Sequence, residues 1–502
     1  MNQKDISSFR STLEYLKQKG ELLTVKGEVD PIYEIAGIEK ALENGPSLLF
    51  ENIKGYPGVR DAGNITSREQ SVADIFGVPE YKDLKFKCVE AIRSPLPPKV
   101  VDEAPCQEVV IKDDIDVTAT LPLIKHSEVD AGRILGGGII LSTESDIAAG
   151  NDISFKRMHF RGKDWGSINI IGGTHLSHIT HREGRTEPVP VTINIGTPPS
   201  VIMVAGTVTV HAIMPGGTDE LGIAGALQGF PVELCQAKTV DACAIANSEW
   251  VIEGNISTES VWESEEAERL KQRRVAPYFP EWSGYLGRAT STFKFQVTAI
   301  THRKDRPIFY TPLANSYENE NMADPLREAC LYELAERMVP GLVIDVNILH
   351  AFKSYLGAVY QVKKRGSADD AFPRNIVAAA IPAATLRLAI IVDEDVNIYD
   401  AEDVLWAIAT RANLETGIFT GAPGSIGLSA LPFADVQRSQ GTWSEGGLVI
   451  DATVPFSAKS KFPRTRYPVD RVDLTKWFSS GELAAIQAQQ CQHARFLARI
   501  GG

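Results

Sequence analysis

What this chain has little of narrows its class first. Its six cysteines, at 88, 106, 235, 243, 330 and 491, are dispersed and form no CxxC pair. That excludes a disulfide framework and a zinc site, and reads as reduced, buried thiols in a cytoplasm. Positive charge is also short. The 51 Lys and Arg against 64 Asp and Glu leave a net charge of −13, which supplies neither the basic face that nucleic acid needs nor attraction to an anionic membrane. No apolar run reaches the roughly 18 residues of a membrane span, and the opening Met-Asn-Gln-Lys-Asp lacks a hydrophobic signal core. Neither GxGxxG after a strand nor GxxxxGKS/T occurs, so no Rossmann site or P-loop is expected. Gly136-Gly-Gly138 carries no phosphate motif and reads as a tight strand corner. Repeats and low-complexity segments are absent.

What is there is the composition of a soluble globular protein, with 43% apolar residues. A length of 502 residues calls for two or three domains rather than one core. Residues 1–104 read as a small α/β lobe. A helix is expected over 7–19 from Phe9, Leu13 and Leu16, with Gly20 at its stop, and another over 31–44 opened by Asp30-Pro31. Residues 105–318 are rich in short β-runs broken by Gly and Pro, the texture of a sandwich or barrel. Short helices are expected within it at 221–228 and 241–246. Residues 319–338 form a connecting helix, with Asp324-Pro325 as its start and Leu326, Cys330, Leu331, Leu334 and Met338 at helical spacing. Residues 339–470 alternate strands (342–348, 355–364, 387–392) with helices (368–381, 402–411), which implies an α/β layer. Residues 471–502 contain an Ala/Gln-rich amphipathic helix over 481–497, expected to dock on a partner subunit. The fold class is therefore α+β.

The chemistry-bearing residues cluster in the β-rich middle. Three pieces stand out: Asp152-Ile-Ser-Phe-Lys-Arg157, Gly172-Gly-Thr-His175 and Thr218-Asp-Glu220. Asp, His and Glu suit Mg²⁺ or Mn²⁺, and the planar fork of Arg157 clamps a phosphate or a carboxylate. The pattern reads as a divalent metal holding the phosphate of a flavin-like cofactor. The bland alternatives are that Asp152 caps a turn beside Asn151, that His178 and His181 are turn residues, and that Asp219 or Glu233 only look like ligands. Glu281, in Tyr278-Phe-Pro-Glu281-Trp-Ser-Gly-Tyr285, is flanked by Pro280 and Trp282. Such neighbours desolvate a carboxyl and raise its pKa, which suits a general acid. Lys363-Lys364-Arg365 is a run of like charge and reads first as a solvated strand end.

These pieces, with Ser248-Glu-Trp-Val-Ile-Glu253-Gly254 and the stretch from Asp393-Glu-Asp through Asp400-Ala-Glu-Asp403 to Thr410-Arg411, resemble the UbiD-type decarboxylases over about residues 10 to 480. The resemblance implies a flavin-reductase-like split β-barrel that binds prenylated FMN through Mn²⁺ or Mg²⁺, with K⁺ close by. It implies Asp152, His175 and Glu220 as metal ligands. Ser154, Phe155, Lys156, Arg157, Thr174, His175 and Glu220 would lie along the cofactor, and Arg157 and Glu281 would be catalytic. The implied reaction is reversible, non-oxidative decarboxylation of an aromatic or heteroaromatic acid through a covalent substrate–cofactor adduct. A flavin prenyltransferase would supply the cofactor, and the assembly would be a homodimer or homohexamer. The phenylacrylate branch has a second Glu five residues before Glu281. Here that position is Ala276, so the Glu–Arg–Glu network is either incomplete or completed by another side chain. The 393–411 signature reads as architectural, with Val404, Leu405 and Ile408 buried. The other readings are a flavin-dependent reductase on the same barrel, and a non-catalytic subunit of a multi-subunit carboxylase, against which intact Arg157 and Glu281 argue.

Overall fold

The computed structural model describes residues 4–142, 151–170, 175–180, 186–207, 212–215, 217–384, 386–421, 446–465 and 467–488. Contacts divide the chain into two units, Met1–Thr453 and Val454–Gly502.

In the first unit, the opening helix Phe9–Gln18 forms because Ser8 and Ser11 cap it reciprocally, each side chain accepting the other's backbone N–H at 3.1 Å. Phe9, Leu13 and Leu16 turn inward. The helix expected over 31–44 is shorter, Glu34–Ala41. A four-stranded sheet runs Leu22–Val29, Ser47–Ile53, Arg60–Gly63, Ile308–Tyr310. Its last strand arrives from far along the chain and pairs in parallel with Arg60–Gly63.

Three fully buried carboxyls, Glu39, Asp61 and Glu318, meet beside this sheet. The approach is close: a Cβ on Gly63 would lie 1.9 Å from Glu39 Oε1. Glu318 accepts the N–H groups of Asn64 and Ile65, and burial still raises it to about 7. Burial, then the charges of Asp61 and Glu318, push Glu39 well above the carboxylate range. Groups with raised folded-state pKa stabilise fully below their unfolded value, near ~4.3, and that stability is lost as pH rises through the folded value. Glu39→Gln is therefore expected to raise the melting temperature at pH 8 more than at pH 5, by the equivalent of about 1–3 kcal/mol. Calorimetry at the two pH values checks this; an equal shift at both would remove Glu39 from the titrating cluster.

Among the described residues the central sheet has nine strands. Its path is Ile134–Leu135, Met158–Phe160, Trp165–Ile168, Ser291–His302, Trp250–Trp262, Val189–Ile195, Ile139–Ser142, Asp152–Phe155, with Val109–Ile111 pairing off Ser291–His302. The path itself requires curvature. Phe155 and Met158 are three residues apart and span at most about 11 Å. Their strands are six spacings apart in the sheet, about 29 Å if it were flat. The sheet therefore curls into a half-barrel, helped by register shifts at Glu253/Gly254 and Ile256/Ser260. Residues 241–246 hold the strand Cys243–Ile245 rather than a helix, because they pair with Glu233–Gln236.

The long helix Tyr317–Met338 begins at Ser316, whose hydroxyl accepts the N–H of Asn319 at 3.3 Å, and not at Asp324-Pro325. Pro325 sits inside it. An interior proline leaves the carbonyl four residues back without its N–H partner; here the Tyr81 hydroxyl donates to that Asn321 oxygen at 3.1 Å. The helix leads to a five-stranded sheet ordered Val343–Asn347, Gly357–Val362, Leu388–Asp393, Leu448–Ala452, Ile418–Thr420, with helices Phe372–Ala384 and Ala401–Arg411. Buried Lys85 ties these parts together, bonding Glu328 at 3.1 Å and Asp345 at 2.8 Å. The fold is thus mixed α+β.

The second unit has short turns at Phe456–Lys461, Val469–Arg471 and Leu474–Lys476 and a helix over 480–488. The rest of the helix expected at 481–497 lies outside the described residues. Tyr467, Val469 and Trp477 are largely exposed.

Candidate functional site

The half-barrel closes at Lys156 and Arg157, the two residues joining its distant strands. Arg157 therefore emerges at the seam. Its Nε and Nη2 donate to Glu263 Oε1 and Oε2, both at 3.1 Å, and its Nη1 donates to Glu281 Oε1. The guanidinium carbon lies 4.7 Å from the centre of the buried Tyr278 ring. Burial opposes the charge on Arg157, but Glu263 and Glu281 outweigh it and hold the guanidinium firmly protonated.

Glu281 is 8% exposed. Its N–H donates to Tyr285 O at 2.9 Å, and its own carbonyl accepts Gly284 N–H at 3.0 Å. Gly287 faces it so closely that a Cβ there would lie 2.7 Å from Glu281 Cγ. Burial raises the Glu281 carboxyl; Arg157 pulls the other way, and the charge of Glu263 adds to the rise. A carboxyl so placed holds its proton to higher pH than one in water.

The gap left by Ala276 is filled. Ala276 is buried, and the second carboxylate on Arg157 comes from Glu263, which follows the long strand Trp250–Trp262. Glu263 also accepts Thr290 N–H at 2.7 Å and Asn169 Nδ2 at 3.2 Å. Its carbonyl accepts the Nδ1–H of His159 at 2.8 Å. Sequence reading missed Glu263 because it lies in the acidic run Glu259 to Glu268, where Ser264 caps the helix Glu265–Leu270 and a carboxylate reads as helix-start decoration.

Of the three expected metal ligands, Asp152 and Glu220 have described side chains. Glu220 is buried and opens the helix Glu220–Gln228, and its Oε2 accepts Ile153 N–H at 2.8 Å. Burial, then the nearby charge of Asp152, push its carboxyl well above the usual range, so Asp152 and Glu220 converge. Lys156 donates to Ser154 Oγ at 2.7 Å. Burial lowers its ammonium, and Asp152 and Glu220 oppose that. Asp219 turns instead to Asn151 Nδ2 at 2.9 Å. His175 starts the helix His175–Thr180; its side chain, that of His178, Thr174 and His181 lie outside the described residues. Among the described residues no three His, Cys, Asp or Glu side chains are set to hold a metal.

Other singled-out residues are structural. Glu233 pairs with Lys99 at 2.9 Å. Lys364, expected at a solvated strand end, is instead buried and donates to Asp370 and Thr453, both at 2.9 Å. Glu253 accepts the N–H groups of Lys238 and Thr239, and Glu249 takes a bidentate bond from Arg10. In the 393–411 signature, Arg411 grips Asp395 at 2.6 Å and Asp393 at 3.3 Å, and Asp400 caps its helix. Val404 is buried, but Leu405 is 63% exposed, correcting the expected inner face.

Three family models match in order: the N-terminal domain of 3-octaprenyl-4-hydroxybenzoate carboxy-lyase over residues 13–87, its Rift-related domain over 99–315, and its C-terminal domain over 320–452. The chain is 31% identical over 462 residues to gallate decarboxylase of Lactiplantibacillus plantarum, covering 88% of this chain and 92% of that one. It is 28% identical to anhydromevalonate phosphate decarboxylase of Methanosarcina mazei, covering 92% and 99%. Among solved structures, the apo 3,4-dihydroxybenzoic acid decarboxylase of Enterobacter cloacae matches with a TM-score of 0.81 at 29% identity, covering 95% and 99%. An evolved dimeric form of the UbiD-class enzyme HmfF from Pelotomaculum thermopropionicum, in complex with prFMN, matches with 0.78 at 29% identity, covering 94% and 100%. The order of the domains, the shared length and the fold agree, and the chain belongs to the UbiD family of decarboxylases.

Proposed function

We propose that this chain is a reversible, non-oxidative decarboxylase of an aromatic or heteroaromatic carboxylic acid, working with prenylated FMN. The observation that carries the reading is Arg157 held between Glu263 and Glu281 at the closure of the half-barrel. The kinship with gallate decarboxylase supports the aromatic class, and the prFMN complex of a structural neighbour supports the cofactor.

The buried carboxyl of Glu220 and the half-buried one of Asp152 beside it fit a divalent cation, Mn²⁺ or Mg²⁺, which would bind the cofactor phosphate with His175 as third ligand and K⁺ nearby. Ser154, Phe155, Lys156 and Thr174 would lie along the ring system. When bound, prenylated FMN supplies the electrophile and electron sink for the carbon that loses CO₂. Arg157 orients the substrate carboxylate and balances its charge. Glu281 in its protonated form gives its proton to the carbon that CO₂ has left, and solvent returns a proton to it. One carboxylate and one proton thus become CO₂ and a C–H bond. The apolar walls of Tyr278 and Phe279 keep water from that carbon.

Co-expression with a flavin prenyltransferase, then a screen of hydroxybenzoates and furan or pyrrole carboxylates in D₂O, tests the reading. CO₂ release with one deuterium on the ring is the expected result. Oxidation of NAD(P)H without CO₂ release would replace it with the reductase reading. We place the protein in the cytoplasm, consistent with described cysteines that are all free thiols; no described helix is long and apolar enough to cross a membrane. The exposed Leu474, Trp477 and Phe478 support a homodimer or homohexamer built through the 471–502 segment. Removing that segment is expected to lower the sedimentation coefficient to that of a smaller species; an unchanged assembly would exclude it from the interface.

A further inference from the structure

We propose that Tyr355, in the C-terminal α/β layer, is a positioning residue that seats the loop carrying Glu281. The inference rests on the reading of Glu281 as proton donor.

Three observations converge on it. Trp282, next to Glu281, meets Tyr355 edge-on, with ring centres 4.6 Å apart and planes at 81°, the favoured geometry for an aromatic pair. Tyr355 is itself fixed at its far end: its hydroxyl donates to Gly206 O at 2.9 Å. The guanidinium carbon of fully buried Arg327, on the long helix, stands 5.1 Å from its ring centre. Burial pushes the Tyr355 phenol up to about 12; Arg327 pulls it down, while Asp324 and Glu281 push it up. It therefore stays a neutral donor at working pH.

The third observation is backbone strain. Lys353 and Ser354, immediately before Tyr355, have φ of 49° and 59°. Two successive non-glycine residues in the left-handed region cost on the order of 1–3 kcal/mol each, and persist only where the surroundings over-determine them. Here Lys353 is held by Glu320 of the long helix at 2.9 Å, and Ser354 is fully buried. The result of this turn is to bring the Tyr355 ring to Trp282 at the start of the strand Gly357–Val362. The site of strain is the residue pair that aims the ring at the catalytic loop, not a random bend.

The physical consequence is that the desolvated setting of Glu281 depends on a wall supplied by another layer of the fold. Without the Tyr355 ring, Trp282 loses its stop, water reaches Glu281, and its carboxyl falls toward the ordinary range. Activity that requires protonated Glu281 then declines at lower pH.

The test uses the cofactor-loaded, full-length protein. Tyr355→Ala is expected to lower kcat about tenfold to a hundredfold, with KM changed less than about threefold, and to move the fall of activity at high pH to lower pH. Tyr355→Phe keeps the ring, and is expected to restore kcat to within about threefold and the wild-type profile. Should Tyr355→Ala fail to fold, Tyr355→Leu carries the same test. A second readout needs no activity: acrylamide quenching of the cofactor-free protein, taken as the difference between each variant with and without Trp282→Phe. Trp282 is expected to be more accessible in Tyr355→Ala than in wild type or Tyr355→Phe. Unchanged kcat, profile and quenching would overturn the proposal, as would equal losses in the Phe and Ala variants. If wild type decarboxylates no acid, the reaction assigned above fails, while the quenching still decides the contact.

Discussion

Glu281→Gln in the cofactor-loaded protein is expected to slow CO₂ release at least about a hundredfold while leaving the cofactor spectrum in place. Gln has nearly the same shape. Its amide oxygen can still accept the Nη1–H that Glu281 Oε1 accepts from Arg157, so the loop and guanidinium keep their positions. What it lacks is an acidic proton. In steady state, deuterium incorporation at the ring carbon in D₂O should fall in step with CO₂ release, since the site cannot take a new substrate until Glu281 has protonated the carbon that CO₂ left. The pH dependence has a fixed sign. Burial raises the Glu281 carboxyl despite Arg157, so its protonated form extends toward neutrality and wild-type activity falls as pH rises through that value. The variant should lose this limb along with its rate. Loss of bound cofactor instead would show that Glu281 holds the site together rather than moving a proton.

What the sequence makes legible follows from the range of the interaction. The helices Phe9–Gln18 and Ala401–Arg411 and the strands Gly357–Val362 and Leu388–Asp393 are visible from local spacing, because each buries one face of a regular element. Pro325 misleads for a local reason with a distant cure: the carbonyl it orphans is satisfied by Tyr81, about 240 residues away in the chain. The strand Ile308–Tyr310 completes a sheet begun near residue 22, and no short-range pattern announces such pairing. Cys243–Ile245 is likewise a strand only because Glu233–Gln236 lies beside it. At the site, the family resemblance singles out Arg157 and Glu281, and the fold brings them together. Glu263 does not stand out, because an acidic run beside a helix start has a sufficient local explanation. Leu405 is apolar at a helical position yet exposed, a reminder that spacing marks a face without saying what covers it.

Glu263→Gln is expected to lower kcat/KM about tenfold to a hundredfold and to shift the fall of activity at high pH to lower pH. The first effect is geometric. Both Glu263 oxygens accept from Arg157, and one also accepts Thr290 N–H. A Gln offers only one acceptor oxygen, so in either orientation its amide N–H groups face the guanidinium, together with Asn169 Nδ2 or the Thr290 N–H, and the fork loses its fixed angle. The second effect is electrostatic. One guanidinium between two carboxyls is neutral overall when one carboxyl holds a proton, and burial raises the carboxyl of Glu281. With Glu263 neutralised, Arg157 and ionised Glu281 balance each other alone. The proton on Glu281 is then no longer favoured, and its pKa must drop. The wild-type and variant pH profiles, measured with melting temperatures at each pH, separate the two causes. A variant that loses rate and stability together, with the limb unmoved, would make Glu263 a structural partner of Arg157 and leave the elevation of Glu281 to burial alone. A limb that moves while melting holds steady would mean that the carboxylate standing in for Ala276 sets the protonation of the acid.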